Sequence, residues 1–180
     1  NRDLKCALIE RDKIGGTCLT RGCIPSKVLV YPADIIREAQ KAKDVGVNLS
    51  LENINWNYIS KRMWSQIDES KEMEKGLSQV PNLDFYKGQG TFIDDYTMEV
   101  FDQNNKNIGK LKGEKFLLAS GARPLIPPIE GLEDVGYVTT KTFFGEKFPE
   151  KPWKSLIIIG GGIIAAEFAH IFSAIGTDVS

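Results

Sequence analysis

Two of the three cysteines, Cys18 and Cys23, lie five apart in the run GGTCLTRGCIPSK, from Gly15 to Lys27. In a regular α-helix, Cα atoms five residues apart are separated by roughly 8.6 Å, whereas a disulfide tolerates about 7 Å at most. A bond between these two thiols therefore requires a loop or a distorted first helical turn. Gly22 offers the backbone freedom for that distortion. Pro25 suits a helix start, where its missing N–H is not wanted. The pair is thus expected at the entrance of a helix that continues through Lys27, Val28 and Leu29. A thiolate there is favoured by the helix dipole and by a nearby cation. Lys27, four residues after Cys23, shares its face. The spacing reads as a redox disulfide, with two other readings open: half of a zinc site, or an accidental pair of buried thiols. Zinc suffers from ligand shortage, because only Cys6 and His170 could complete the set and both are far away in sequence. Cys6, flanked by Ala7, Leu8 and Ile9, reads as a plain core thiol.

The rest of the composition narrows the class. At 180 residues the chain can bury a core of one domain or slightly more. A formal net charge of −1, with both signs dispersed, gives no basic stripe for nucleic acid. Three cysteines with one close pair point to a reducing compartment, and so to the cytoplasm, rather than to a secreted disulfide framework. The opening residues Asn1–Lys5 are polar and the apolar run after them is short, unlike a signal peptide. Leu156 to Ile175 is apolar enough to raise the question of a membrane span. Its glycines, Glu167 and His170 make strand, turn and helix the better reading.

Along the chain, Leu4–Glu10 reads as a buried parallel strand. A helix after the cysteine loop should run to about Lys43, bend near Pro32 and close at Gly46. Trp56 to Val80 is a second helical segment in which Trp56, Ile59, Met63 and Ile67 recur at helical spacing as core positions. After Pro81, short strands are expected at Leu83–Tyr86, Thr91–Ile93, Met98–Phe101 and Lys115–Ala119. Residues 124–128 and 148–153 read as connectors, rich in proline. Ser155–Ile159 should be a buried strand. Gly160, Gly162 and Ala165 then fit the G-x-G-x-x-G/A turn that sets a pyrophosphate on a helix N-terminus, although a tight glycine turn in an ordinary βα unit has the same pattern.

Four features stand in order: a strand ending in Glu10, the GGTCLTRGCIPSK loop, ASGARP at 119–124, and the turn from Gly160 to Glu167. Together they resemble the pyridine nucleotide–disulfide oxidoreductases, most of all the dihydrolipoyl dehydrogenase type, over essentially the whole chain. The resemblance implies an α/β fold of FAD/NAD(P)-binding Rossmann-like domains, with a parallel sheet, helices and a small antiparallel β-meander, incomplete at both ends. It implies an FAD-binding domain at 1–142 lacking its first βα unit, and the start of an NAD(P)-binding domain at 143–180. By position, Glu10 should hold the FAD ribose, and Gly15, Gly16 and Thr17 should approach the flavin and its phosphates. Cys18 would be the interchange thiol and Cys23 the charge-transfer thiol. Lys27 should lie near the flavin N5 and pair with Glu167 on the nicotinamide side. Gly90, Ala119, Ser120 and Gly121 should contact FAD, and Gly160, Gly162 and Glu167 the nicotinamide cofactor, NAD with NADP open.

The implied activity passes electrons between a dithiol, the Cys18–Cys23 pair, FAD and NAD. The partners implied are a dithiol or disulfide substrate (a lipoyl group, hence a 2-oxoacid dehydrogenase complex, is one) and a second subunit of a homodimer. No metal, nucleic acid or membrane is expected. Mycothione, glutathione and mercuric reductases belong to the same family, and a non-catalytic redox sensor could be built on the scaffold. Two residues depart from the family pattern: Thr20 stands where asparagine is common, and Ile163 where an aromatic lid often follows the glycines. The family's catalytic His–Glu pair, contributed near the C-terminus of the partner subunit, has no counterpart in these residues. His170 is expected to be a packed or surface residue. The chain taken alone is expected not to turn over.

Overall fold

A computed structural model describes residues 4–180. In chain order the elements are β1 (Cys6–Glu10), α1 (Gly16–Arg21), α2 (Cys23–Lys41), a 3-10 turn (Ala42–Val45), α3 (Trp56–Leu77), β2 (Leu83–Lys87), β3 (Gln89–Asp94), β4 (Thr97–Phe101), β5 (Asn107–Lys112), α4 (Leu132–Val135), α5 (Thr140–Phe143), β6 (Ser155–Leu156), α6 (Ile163–Ala174) and β7 (Asp178–Val179). Parallel strand pairs with helices in the connections, and an antiparallel meander that follows β2 in sequence, are the α/β arrangement expected. The contacts group the chain into two compact units interleaved in sequence. One holds the described chain up to Thr20 with Asp68–Arg123; the other holds Arg21–Ile67 with Pro124–Ser180.

In the first unit, β1 and β2 pair in parallel from Cys6↔Leu83 to Glu10↔Lys87. The strand is parallel as expected, but it is not buried: Cys6, Ala7 and Leu8 are exposed. Among the described residues β1 and β2 pair only with each other, so much of both faces stays open to solvent. Cys6 is therefore a surface thiol and not the core residue its apolar neighbours suggested. Strands β3, β4 and β5 form an antiparallel meander with Val100 fully buried. Its third strand is Asn107–Lys112; Lys115–Ala119, expected as a strand, is irregular, with Leu117 at 93% exposure. Alternating polarity in NIGKLK is weak, and the apolar FLLA drew the expectation instead. Two glycines admit close packing here. A Cβ on Gly88 would lie 2.4 Å from the Phe101 carbonyl oxygen, and one on Gly90 would lie 2.7 Å from Met98 Cε and 3.2 Å from Ile9 Cδ1.

In the second unit the core is aromatic. Leu29 of α2, Trp56, Ile59, Met63 and Ile67 of α3, Phe143 of α5 with the following Phe144, and Ile171 and Phe172 of α6 form one buried cluster. The helical stripe on α3 is thus core, as its spacing required. Trp56 stacks on Phe148 at 5.6 Å, and its indole N–H donates to the Pro149 carbonyl at 3.0 Å, so a polar handle is satisfied inside an apolar cluster. Trp153 stacks on Phe172 at 5.1 Å. Helix α2 runs through Pro32 to Lys41, and Gly46 closes the following 3-10 turn at φ +83°. The glycine-turn strand is shorter than expected. β6 spans two residues paired in parallel with β7, the ladder is extended by the Ile158 N–H bonded to the Ser180 carbonyl, and Ile157 and Ile159 are exposed. No helix of the described residues is long and apolar enough to cross a membrane.

Candidate active site

The cysteine loop folds into two helices broken at one glycine. Gly15 takes φ +102°, and a Cβ there would lie 2.4 Å from Leu19 Cδ2; Gly16 follows at φ +60° with open space over it. Helix α1 carries Thr17 and Cys18 on its exposed side and buries Leu19 and Thr20. Thr20 donates its hydroxyl to the Gly16 carbonyl at 2.7 Å. The residue that departs from the family loop is therefore turned inward on its own helix.

Gly22 leaves the helical region at φ −137°, ψ −124°, and Cys23 opens α2. The helix is thus broken between the two cysteines, as a bond between them would require, and in this structure Cys18 and Cys23 are both thiols rather than a disulfide. The first α2 hydrogen bond runs from the Ser26 N–H to the Gly22 carbonyl at 3.0 Å. Pro25 lies among the first four positions, whose N–H groups have no intrahelical acceptor. Cys23 is exposed and Gly22 provides no side-chain cap, so the positive end of the helix is open beside this thiol.

One turn on, the Lys27 ammonium is ion-paired with the Glu167 carboxylate of α6, 140 residues later in the chain. The lysine hydrogen bond, aided by the Ser26 hydroxyl and the lysine charge, lowers the Glu167 pKa against the opposing effect of burial. Ser26 is buried, and its hydroxyl also reaches the Cys23 carbonyl at 3.3 Å. The serine thus faces both the backbone of the second cysteine and the carboxylate that holds Lys27. No reading of the sequence assigned it a contact, because its partner comes from the far end of the chain.

Gly160 has φ +120°, Gly162 is the uncapped N-cap of α6, and a Cβ on any of Gly160, Gly161 or Gly162 would meet nothing within 4 Å. The backbone N–H groups of this helix start are accessible to a phosphate group, so the residues present fit a dinucleotide. Glu10 closes β1 and accepts the Asp12 N–H at 2.7 Å. Gly90 lies in β3 against Ile9 and Met98, so local packing already explains its lack of a side chain. Ala119, Ser120 and Gly121 are irregular and exposed, with Gly121 at φ +73°. His170 is a half-buried surface residue, paired through Nε2 with Asp34 of α2 at 2.7 Å. Among the described residues there is no group of three or more His, Cys, Asp or Glu placed to hold a metal.

The profile of the pyridine nucleotide-disulphide oxidoreductases matches residues 1–180. The chain belongs to that family. Its members use FAD and NAD(P). Mycothione reductase of Mycobacterium tuberculosis is 32% identical over 177 residues, covering 98% of this chain and 38% of that protein. Mercuric reductase of Lysinibacillus sphaericus is 33% identical over 180 residues, covering 98% and 31%. Dihydrolipoyl dehydrogenase of Chlamydia pneumoniae is 32% identical over 177 residues, covering 98% and 37%. Among solved structures, the Cu(II) complex of the HOCl-induced flavoprotein disulfide reductase RclA from Escherichia coli superposes with a TM-score of 0.77 at 26% identity, over 98% of this chain and 36% of that one. The chain spans less than two fifths of the length of each.

Proposed function

We propose that this chain is the redox-loop portion of an FAD-dependent dithiol/disulfide oxidoreductase of the dihydrolipoyl dehydrogenase type, acting as a homodimer in the cytoplasm. The observation that carries the reading is the loop itself. Cys23 opens α2 at an uncapped helix start, and Lys27 is tied one turn later to Glu167. Residues 1–142 would belong to the FAD-binding part and 143–180 to the nicotinamide-binding part.

In the reductive direction, the Cys18 thiolate attacks one sulfur of a substrate disulfide. The S–S bond breaks, a mixed disulfide forms and one substrate thiol leaves. The Cys23 thiolate then attacks Cys18 Sγ, which releases the second substrate thiol and closes Cys18–Cys23. In the oxidative direction the same exchange runs backwards from a dithiol. Glu10, Gly15, Gly16, Thr17, Gly90 and Ala119–Gly121 would hold FAD, and Gly160, Gly162 and Glu167 the nicotinamide cofactor. Bound together, these groups supply two-electron transfer between the dithiol and NAD⁺. Lys27 would supply a positive charge one helical turn from the second thiol, with Glu167 as its ion-pair partner.

The relatives include mycothione reductase, mercuric reductase and dihydrolipoyl dehydrogenase at 32%, 33% and 32% identity. The substrate is therefore to be decided by assay. Ser26 and the IPSK ending favour the dihydrolipoyl or mycothione types over glutathione reductases, which tend to carry a second lysine there. The test is the visible spectrum of the full-length, FAD-loaded protein during anaerobic reduction by NADH. A long-wavelength charge-transfer band that is lost in Cys23→Ser is the expected result. Flavin that bleaches without the band would turn the reading towards a redox sensor. Dihydrolipoamide, mycothione, glutathione disulfide and Hg(II), compared side by side, then rank the substrates.

A further inference from the structure

The ion pair at Lys27 is the first of three polar contacts along the seam between α2 and α6. Lys27 meets Glu167, Asp34 meets His170 at 2.7 Å, and the Arg37 guanidinium donates to Ser173 Oγ at 2.7 Å. The partners advance together, 27, 34 and 37 against 167, 170 and 173, so the two helices run in the same direction. From 27 to 37 an α-helix rises about 15 Å, and from 167 to 173 about 9 Å. The outer contacts are made by the two longest side chains, Lys27 and Arg37, which absorb the difference. Apolar side chains pack the same seam: Leu29 of α2 shares the aromatic cluster with Ile171 and Phe172 of α6, and Ala33 and Ile36 of α2 meet Ala174 of α6.

We propose that Asp34, Arg37, His170 and Ser173 are positioning residues, whose two contacts set the register of α6 on α2 and thereby hold Glu167 against Lys27. The proposal rests on the oxidoreductase reading for its consequence, since α2 begins with the second redox thiol and α6 with the nicotinamide turn. His170, which the sequence marks as a bystander, becomes the middle rung of a ladder linking those two helix starts. Glu38 and Lys41 line the same surface hollow as Asp34, Arg37 and His170, so the ladder lies open to substitution without disturbing the aromatic core.

The experiment uses the full-length FAD-loaded protein with Asp34→Ala, His170→Ala and the exchange variant D34H/H170D. Flavin reduction by NADH should slow about three- to fivefold in each single variant, as befits a partly exposed pair. Appearance of the charge-transfer band on reduction by dithiothreitol should be unchanged, and the exchange variant should recover most of the NADH rate. Wild-type rates in the single variants, or equal losses with NADH and dithiothreitol, would overturn the proposal. If the wild-type protein holds no NADH-reducible flavin, the oxidoreductase reading itself fails. The ladder is then decided by hydrogen–deuterium exchange on this chain: faster uptake over 163–170 in both single variants supports it, and unchanged uptake rejects it.

Discussion

Glu167 shows how one side chain ties chemistry to stability. Its carboxyl is held below its ordinary value of 4.5, first by the hydrogen bond from Lys27, then by Ser26 and the lysine charge, with burial pulling the other way. A carboxylate whose folded pKa is lowered contributes stability that is present above its unfolded pKa. That stability is lost as the pH falls through the folded value. Lys27 is largely exposed, so solvent screening limits the contribution to at most about 1 kcal/mol. Denaturant unfolding of the wild type and Glu167→Gln should therefore differ at neutral pH by up to that amount, and the difference should vanish as the pH falls through the lowered pKa of Glu167. Parallel curves across the whole range would mean that the ion pair adds nothing to folding. Lys27 and Glu167 were legible as a pair only through the resemblance. Nothing local joins residues 140 apart.

Among the elements, the meander offers the sharpest local test. Gly88 and Gly90 flank one residue, yet their missing side chains face different neighbours. A Cβ on Gly88 would collide with the backbone oxygen of Phe101 at 2.4 Å, which cannot move without disturbing β4. On Gly90 the closest atom is the end of a methionine, which can turn aside. Gly88→Ala should cost about 2–3 kcal/mol and Gly90→Ala about 1 kcal/mol or less, measured by urea unfolding. The reverse order would place the tight contact on the Ile9 side. The helices were more legible than the strands. The stripe Trp56, Ile59, Met63, Ile67 reads directly from a period of 3.6, and Gly22 reads as a break because the cysteine spacing needs one. A strand needs a partner, and neither β5 nor the irregular Lys115–Ala119 announces which of them will find one.

For the whole molecule, the exposed apolar residues matter most. Leu117, Leu118, Leu125, Ile157, Ile163 and Val135 are each more than 70% exposed. Accessible apolar side chains of this number bind apolar dyes. The 180-residue chain should therefore enhance the fluorescence of an anilinonaphthalene sulfonate under native conditions, with Ile157→Glu and Leu117→Glu each reducing the signal. No enhancement would mean that these side chains are covered in solution. By itself the sequence determined the features that depend on neighbours in the chain: the broken helix entrance at Gly22, the core stripe of α3 and the open glycine turn before α6. Those rest on backbone dihedral freedom and on periodicity, which are local properties. Tertiary structure alone decided that Cys6 is exposed, that β5 and not Lys115–Ala119 completes the meander, and that His170 meets Asp34. Burial and pairing depend on what a distant segment brings to the same place, and no short-range pattern carries that information.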